Sequence, residues 1–211
     1  MDFKQFFIAG SRAIRDDLIS TLFIAWANLE LIKEEVEEDR YKKINSQMEK
    51  AFSIMEIWKE LEVFGEAPSW QELKTILLRA KIQSKCPFIK MDIQNVKINT
   101  NGLFHFLFTN LIDNSMRHGC KEDIKIRISS KIEERDFVII YEDNGTGVPN
   151  PDKKRIFAQG FGNYTGLGMF FSYQIIELMG GTIVENGVPG KGARFEIRIP
   201  EDIYKMSDGD L

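Results

Sequence analysis

Residues 3–64 contain no proline and only one glycine, Gly10, so little along this stretch would stop a helix. Apolar side chains recur there at intervals of three or four residues, from Ile14 to Val36 and again from Ile44 to Trp58. This spacing predicts two long amphipathic helices. The polar run EEVEEDRYKK between them predicts a junction near residues 37–42, and therefore an antiparallel helical hairpin.

A single hairpin of this kind cannot cover both of its own apolar faces. Two hairpins can do so by packing together as a four-helix bundle, so the pattern predicts a homodimer through this segment. The alternative is that the two helices pack on the remainder of the same chain.

The remainder of the chain has a mixed pattern that begins after a linker marked by Gly65 and Pro68. Helices are predicted over residues 70–85, 103–118 and 169–179, and strands over residues 88–93, 124–132, 137–141, 182–185 and 193–199. We therefore expect an α+β chain in three parts. These are a hairpin domain over residues 1–66, a layered α/β domain over residues 67–205 and a frayed tail over residues 206–211.

The composition argues against several classes of protein. A net charge of −4 does not suit a general nucleic-acid binder, because phosphate backbones attract basic surfaces. Cys86 and Cys120 are too few for a disulfide framework or a zinc site, and they suit a reducing compartment. The most apolar stretch, residues 18–32, is shorter than the roughly 20 apolar residues of a membrane span. We expect a cytoplasmic protein, or the cytosolic part of a larger protein, without nucleic-acid or membrane contacts.

Two asparagines on the predicted helix 103–118 are candidate metal ligands. Asn110 and Asn114 are one turn apart and share a helix face. An amide oxygen can ligate Mg²⁺ without adding charge when phosphates and water supply the other ligands. A purely structural pair of buried asparagines would have the same spacing, so the pattern alone leaves both roles open.

Glycine-rich turns follow in the second half of the chain. Asp143-Asn-Gly-Thr-Gly147 comes directly after a strand, where an aspartate can accept a hydrogen bond from an exocyclic amino group such as that of adenine. Residues 160–169, GFGNYTGLGM, lead into a helix whose N-terminus can bind phosphates. They are not a Walker loop, because GKS and GKT are absent. Each turn alone could also be an ordinary solvated turn. Residues 190–200, GKGARFEIRIP, add a turn and a closing strand.

Together these four patterns, in this order, resemble the N box, the two central glycine boxes and the final glycine strand of the GHKL ATPase superfamily. Residues 156–161 look like the phenylalanine box of that family. The closest likeness is to the catalytic domain of sensor histidine kinases, in particular those with a short ATP lid that occur in methanogenic archaea. The resemblance covers roughly residues 70–204 and implies an α/β sandwich that binds ATP and Mg²⁺.

The resemblance also implies roles for individual residues. Asn114 would ligate Mg²⁺ with Asn110 in support, Arg117 would lie near the phosphates and His118 against the nucleotide. Asp143 would recognise the adenine amino group, and residues 152–165 would form the lid. The nucleotide-binding set implied in this way is Asn110, Asn114, Arg117, His118, Asp143, Gly145, Gly147, Val148, Lys154, Phe161, Gly162, Thr165, Gly166, Leu167, Gly168 and Met169.

The helical hairpin looks like the dimerisation and phosphoacceptor domain of the same family, with one departure from its pattern. Asp16 stands where the acceptor histidine is expected, and the two histidines of the chain, His105 and His118, lie outside the hairpin. Asp17 matches the acidic neighbour that would act as base, and Ser20 replaces the usual Asn or Thr. A carboxylate beside Asp17 and a triphosphate meets like-charge repulsion that a neutral imidazole does not.

Three explanations of Asp16 stay open: an engineered substitution, a natural carboxylate acceptor, or a hairpin that only dimerises and docks a partner. Two functions follow. The first is an ATP-dependent kinase core that passes the γ-phosphoryl group to the hairpin and then to a response-regulator aspartate. The alternative is an ATP-binding pseudokinase that docks a response regulator without phosphoryl transfer.

Overall fold

The computed structural model describes residues 3–61, 67–86, 88–119, 124–161 and 166–207, and of residues 3–14, 53, 56, 57 and 59–61 it describes the backbone alone. The chain divides into two compact units, Met1–Gly65 and Glu66–Leu211. Within the described residues no helix is long and apolar enough to cross a membrane.

The first unit consists of two long helices, α1 (Phe3–Leu31) and α2 (Glu38–Leu61). Trp26 Nε1 donates to Asn45 Oδ1 at 3.2 Å, and the Tyr41 hydroxyl donates to Glu30 Oε1. Glu30 follows Trp26 along α1, but its partner Tyr41 precedes Asn45 along α2. The two helices therefore run antiparallel. The junction differs from the prediction of residues 37–42: it is a short 3-10 turn at Lys33–Glu35, and residues 38–42 already belong to α2.

The second unit contains a five-stranded and a three-stranded sheet. The larger sheet has the order β2 (Ile89–Asp92), β4 (Ile126–Glu133), β5 (Asp136–Asp143), β7 (Arg194–Ile199) and β6 (Thr182–Glu185). Only the β2–β4 pair is parallel. The smaller sheet is antiparallel, with the order β1 (Ser69–Glu72), β3 (Val96–Thr100) and β8 (Tyr204–Met206).

The described residues of this unit also form three α-helices: α3 (Leu73–Gln83), α4 (Phe104–His118) and α5 (Gly168–Leu178). Helix α4 packs between the other two. Its apolar face is fully buried, with Phe104, Leu107, Phe108, Leu111 and Ile112 all at 0% exposure. The core therefore fixes the rotation of α4 about its axis, and with it the direction of every polar side chain that α4 carries.

Several sequence predictions are corrected here. Residues 70–72 were expected to begin a helix but belong to β1, because Ser69–Glu72 pairs residue by residue with Thr100–Lys97. Strands β3 and β8 were not predicted. Residues 206 and 207 do not belong to the expected frayed tail, since Met206 ends β8 and Ser207 N donates to Asn95 O at 2.9 Å. Residues 208–211 lie outside the described residues.

Candidate functional site

Asp143 ends strand β5, and its carboxylate is held from three sides. Its Oδ1 atom accepts from the backbone N–H groups of Gly145 and Ala193, both at 2.9 Å. Its Oδ2 atom lies 2.5 Å from the hydroxyl oxygen of Ser115, on α4. The carboxylate is half-buried, so a side chain at the end of a strand has become a fixed hydrogen-bond acceptor.

Two glycine turns meet at Asp143 because their backbones approach closely. A Cβ atom on Gly192, where φ is +101°, would lie 1.8 Å from the carbonyl oxygen of Asp143. A Cβ atom on Gly147, where φ is +69°, would lie 2.7 Å from Gly192 O. Gly190 N also donates to Thr146 O at 2.8 Å. The turn after β5 and the turn before β7 therefore form one unit, with Val148 half-buried beside them.

The two predicted asparagines of α4 differ in their contacts. The Asn110 amide donates to Gly168 O at 3.1 Å and to Ser172 Oγ at 3.2 Å, and a Cβ on Gly168 would lie 2.9 Å from Asn110 Oδ1. Asn110 thus ties α4 to the first turn of α5. Asn114 is half-buried one turn later, and none of the described hydrogen bonds within the ranges given above involves its amide.

The C-terminal end of α4 carries two of the predicted nucleotide-binding residues, Arg117 and His118, and both are exposed. This end lies against the first glycine turn. Thr146 Oγ1 donates to His118 O at 3.4 Å, and a Cβ atom on Gly145 would lie 3.4 Å from the Cα atom of Gly119. Arg117 and His118 therefore lie next to the turn that follows Asp143.

The N-terminus of α5 has the features of an anion-binding helix end. The helix is 11 residues long, its first turn has no acidic residue, and the preceding residue, Leu167, makes no side-chain capping bond to the described part of the helix. Gly166 adopts φ +61°, and a Cβ atom there would lie 2.4 Å from the carbonyl carbon of Gly160, so the position requires glycine. Gly160 N donates to Gly166 O at 3.1 Å. Gly166, Leu167, Gly168 and Met169 are half-buried. The predicted residues Gly162 and Thr165 lie outside the described residues.

The segment before the phenylalanine box is anchored rather than free. Lys153, Lys154 and Arg155 stand just upstream of the glycine turn 160–169, and from the sequence they could add positive charge for phosphates. Lys153 instead forms an ion pair with Glu185 at 2.6 Å, and the Glu185 side chain is fully buried. Glu185 Oε1 also accepts from Gly187 N at 3.0 Å and Arg194 N at 3.2 Å. Lys154 is exposed. The charge of Lys153 is thus already used inside the domain.

Aromatic contacts also hold Phe157, a residue of the expected lid. The Phe157 ring lies 5.7 Å from that of Tyr173 and 6.5 Å from that of Phe195. The Arg155 guanidinium lies 5.0 Å from the Phe161 ring centroid. Arg155 and Phe161, both within the expected lid of residues 152–165, therefore contact each other.

Two ionisable groups close in sequence to Asn114 and Asp143 have perturbed pKa values. Burial raises the pKa of Asp113, on α4, although contacts with Ser84 and Arg117 oppose the shift. Burial also raises the pKa of Tyr141 well above its ordinary value, despite the hydrogen bond to Ser115. Tyr141 therefore stays a phenol and a hydrogen-bond donor throughout the physiological range.

Sequence reasoning missed four contributors to this site: Ser115, Tyr141, Gly192 and Ala193. Tyr141 and Asp143 are two residues apart on β5 and so point to the same face of the sheet, which is a signal that the sequence did contain. Ser115 falls one turn after Leu111 on the apolar face of α4 and resembles an ordinary small core residue. No group of three or more His, Cys, Asp or Glu side chains suited to a metal ion occurs among the described residues.

The predicted acceptor region lies on α1 in the first unit. Arg15 donates to Asp16 Oδ1 through Nε at 3.1 Å and through a terminal nitrogen at 2.8 Å. The Asp16 side chain is 66% exposed. Ser20 Oγ donates to Asp16 O at 2.8 Å, and Asp17 is exposed beside it. The helix therefore places Asp16 and Ser20 one turn apart, with one carboxylate oxygen of Asp16 held by Arg15.

Comparison with known proteins supports the family resemblance found in the sequence. Residues 99–203 match the family model described as histidine kinase-, DNA gyrase B- and HSP90-like ATPase. The chain is 28% identical over 135 residues to the alginate biosynthesis sensor protein KinB of Pseudomonas aeruginosa, which covers 61% of this chain and 21% of KinB. It is 32% identical over 108 residues to the sensor protein ChvG of Agrobacterium fabrum, covering 44% of this chain and 18% of ChvG. The chain thus spans about a fifth of the length of these relatives.

Solved structures share the fold at low sequence identity. Full-length ShkA, solved in complex with AMPPNP, superposes with a TM-score of 0.63 at 15% identity, covering 96% of this chain and 47% of ShkA. The Acinetobacter baumannii histidine kinase AdeS gives a TM-score of 0.59 at 19% identity, covering 87% of this chain and 97% of AdeS. The predicted resemblance is confirmed: residues 99–203 belong to the histidine kinase-, DNA gyrase B- and HSP90-like ATPase family, and the chain has the core of a sensor histidine kinase.

Proposed function

We propose that residues 67–205 bind Mg-ATP and that the chain is the kinase core of a two-component sensor. In this core the γ-phosphoryl group passes to an acceptor on the helical unit and then to a response-regulator aspartate. The observation that carries the proposal is the Asp143 carboxylate, fixed by Gly145 N and Ala193 N, in a domain that also contains the N-terminus of α5, whose first turn has no acidic residue. A fixed acceptor suits the amino group of adenine, and a helix N-terminus suits phosphates.

The other predicted site residues bind different parts of the nucleotide. Residues 166–169 hold the phosphates at the start of α5, and Asn114 ligates Mg²⁺ while Asn110 holds α5 in place. When bound, Mg²⁺ neutralises charge on the phosphates. Arg117 lies near the phosphates and His118 against the nucleotide. The residues that complete the pocket and its lid are Gly145, Gly147, Val148, Lys154, Phe161, Gly162 and Thr165.

Titration calorimetry with Mg-ATP tests the adenine contact. Asp143→Asn keeps the size of the side chain but replaces one acceptor oxygen with a donor group, which faces the adenine amino group unfavourably. We expect at least about a tenfold loss of affinity, because a hydrogen bond to a charged group contributes about 1.5–3 kcal/mol. Asp92→Asn is the matched control, since Asp92 is exposed on β2. Equal affinity in both variants would remove Asp143 from the site.

The second step depends on Asp16. Its exposure leaves one carboxylate oxygen open to a phosphoryl group while Arg15 offsets part of its charge. Transfer would give an acyl phosphate, as in enzymes with aspartyl-phosphate intermediates. The alternative function, a pseudokinase that binds ATP and docks a response regulator, is favoured by the absence of any histidine from residues 1–65.

Incubation with γ-labelled ATP separates the two functions. Label on the wild-type chain that hydroxylamine removes, and that Asp16→Asn abolishes, supports the carboxylate acceptor. We expect Asp16→His to yield label that survives base and is lost in acid, the behaviour of a phosphoramidate. Retained ATP binding with label on neither protein supports the pseudokinase.

We further propose a homodimer through the helical unit, a response-regulator receiver domain as partner and a cytoplasmic location. The apolar side chains that α1 and α2 leave exposed support the dimer. A receiver domain is the partner that the proposed phosphoryl transfer requires. Pull-down of a purified receiver domain by the chain, with and without Asp16→Asn, tests that partnership.

A further inference from the structure

Two buried hydroxyl groups lie behind the Asp143 carboxylate. Ser115 Oγ, on α4, lies 2.5 Å from Asp143 Oδ2 and 2.8 Å from the hydroxyl oxygen of Tyr141, on β5. Ser115 is 3% exposed and Tyr141 is 0% exposed. The three side chains form a continuous line from the core to the carboxylate, which we call the hydroxyl relay.

The protons of the hydroxyl relay run in one direction. Ser115 has one hydroxyl proton, and the contact with the Asp143 carboxylate requires it, because a carboxylate can only accept. The Tyr141 hydroxyl therefore donates, and Ser115 Oγ accepts. The Ser115 proton then has two acceptors within reach, Asp143 Oδ2 at 2.5 Å and Leu111 O at 3.1 Å. A carboxylate at the shorter distance is the stronger acceptor, so the order is Tyr141 to Ser115 to Asp143. Hydrogen bonds in such a chain strengthen one another.

We propose that Ser115 and Tyr141 are specificity-positioning residues that make Asp143 select a purine bearing a 6-amino group. The inference rests on the proposed function, in which Asp143 faces the base. Backbone groups hold Oδ1, and the relay holds Oδ2, so rotation of the carboxylate is blocked at both oxygens. A carboxylate fixed in this way presents lone pairs to a donor such as the adenine amino group. It opposes a 6-oxo purine, whose oxygen at the same position is also an acceptor.

If the hydroxyl relay positions the carboxylate, changing it should affect nucleotide affinities in a way that a purely structural role would not. The two hydrogen bonds to Asp143 Oδ1 come from backbone N–H groups, which remain when a relay side chain is changed. The hydrogen bond to Asp143 Oδ2 depends on Ser115 and, behind it, on Tyr141. A loss of packing would weaken all nucleotides alike. A loss of carboxylate positioning weakens only ligands that donate from position 6 of the purine.

The experiment compares ATP with purine riboside 5′-triphosphate, which lacks the 6-amino group, by calorimetry with Mg²⁺. We expect the wild-type chain to prefer ATP by about tenfold or more. Ser115→Ala should reduce that preference about fivefold, and Tyr141→Phe about two- to threefold, with little change for the analogue. Thr109→Val is the control, since Thr109 is a buried hydroxyl on α4 that donates to His105 O at 3.2 Å, outside the relay.

The outcomes separate this inference from the proposed function. If the wild-type chain binds neither nucleotide, the proposed function fails and the relay fails with it. If the wild-type chain prefers ATP but both relay variants keep the full preference, the relay is overturned while ATP binding stands. Equal weakening of ATP and the analogue in a relay variant would also overturn it, because that result reports packing. Thermal unfolding of each variant accompanies the titrations.

Discussion

Asn110 and Asn114 lie one turn apart on α4, yet the structure uses their amides differently. Asn110 holds the first turn of α5 through Gly168 O and Ser172 Oγ, whereas Asn114 is half-buried beyond it. We predict that Asn114→Ala abolishes the Mg²⁺-dependent part of ATP affinity. Its free energy of unfolding should change by no more than about 0.5 kcal/mol, since the variant loses no hydrogen bond of the described fold.

Asn110→Ala is the matched variant and should behave in the opposite way. It removes two hydrogen bonds between α4 and α5, so we expect a loss of about 1–2 kcal/mol in unfolding free energy. Calorimetry with and without EDTA measures the metal-dependent affinity, and urea denaturation measures stability. An Asn114→Ala chain that binds ATP normally in Mg²⁺ would refute the assignment.

At single residues, the sequence correctly predicted that Asp143 lies at the end of a strand but misjudged Lys153. Asp143 follows an apolar strand and precedes a glycine turn, which is a local signal; its contact with a nucleotide stays a prediction. Lys153 looked like free positive charge because its partner, Glu185, is 32 residues away on β6. Ser115 was missed for the same reason: its two partners lie on β5, 26 and 28 residues later. A role that depends on a partner far along the chain is hard to predict from the local sequence pattern.

Among the secondary-structure elements, β2, β4, β5, β6 and β7 were predicted as strands, whereas β1, β3 and β8 were not. Burial alternates at the start of β4, and β5 carries a continuous apolar run from Phe137 to Tyr141; both were predicted, and both predictions are confirmed. β1 has four residues and two half-buried positions, and it is a strand because Ser69 pairs with Thr100. β8 has three residues and pairs with β3. Such strands depend on a partner far along the chain rather than on their own side chains.

The two glycines of the turn before β7 make different demands on that element. Gly192 is in direct contact with the backbone of Asp143, whereas a Cβ on Gly190, at φ +81°, would meet nothing within 4 Å. We predict that Gly192→Ala costs about 3 kcal/mol or more and removes ATP binding, because the turn must move away from β5. Gly190→Ala should cost about 1–2 kcal/mol from backbone strain alone and keep ATP affinity. Denaturant unfolding and calorimetry measure both effects, and equal behaviour of the two variants would contradict the proposed turn geometry.

For the molecule as a whole, the exposed apolar side chains of the helical unit set the expected assembly. Phe23 is 57% exposed, Ile24 is 61% and Leu31 is 82%, although α1 and α2 pack against each other. A groove of about 380 Å³ lies between the helices, lined by Phe23, Trp26, Glu30, Asn45, Glu49 and Phe52. Apolar surface of this kind is stabilised by burial at about 25 cal/mol per Å², and a second hairpin offers a matching face.

We therefore predict a dimer of about 49 kDa in light scattering at micromolar concentration, twice the 24.4 kDa of the chain. Ile24→Glu places a charge in the proposed bundle core and should shift the measured mass towards that of the monomer, because an unpaired buried charge is strongly unfavourable. Ile82→Glu is the matched control, since Ile82 is 77% exposed on α3 in the second unit and should leave the dimer intact. A wild-type mass near 24 kDa would contradict the bundle, and dissociation by Ile82→Glu alone would move the interface to the second unit. Because ATP affinity belongs to the second unit, it should be the same in the Ile24→Glu monomer as in the wild-type dimer.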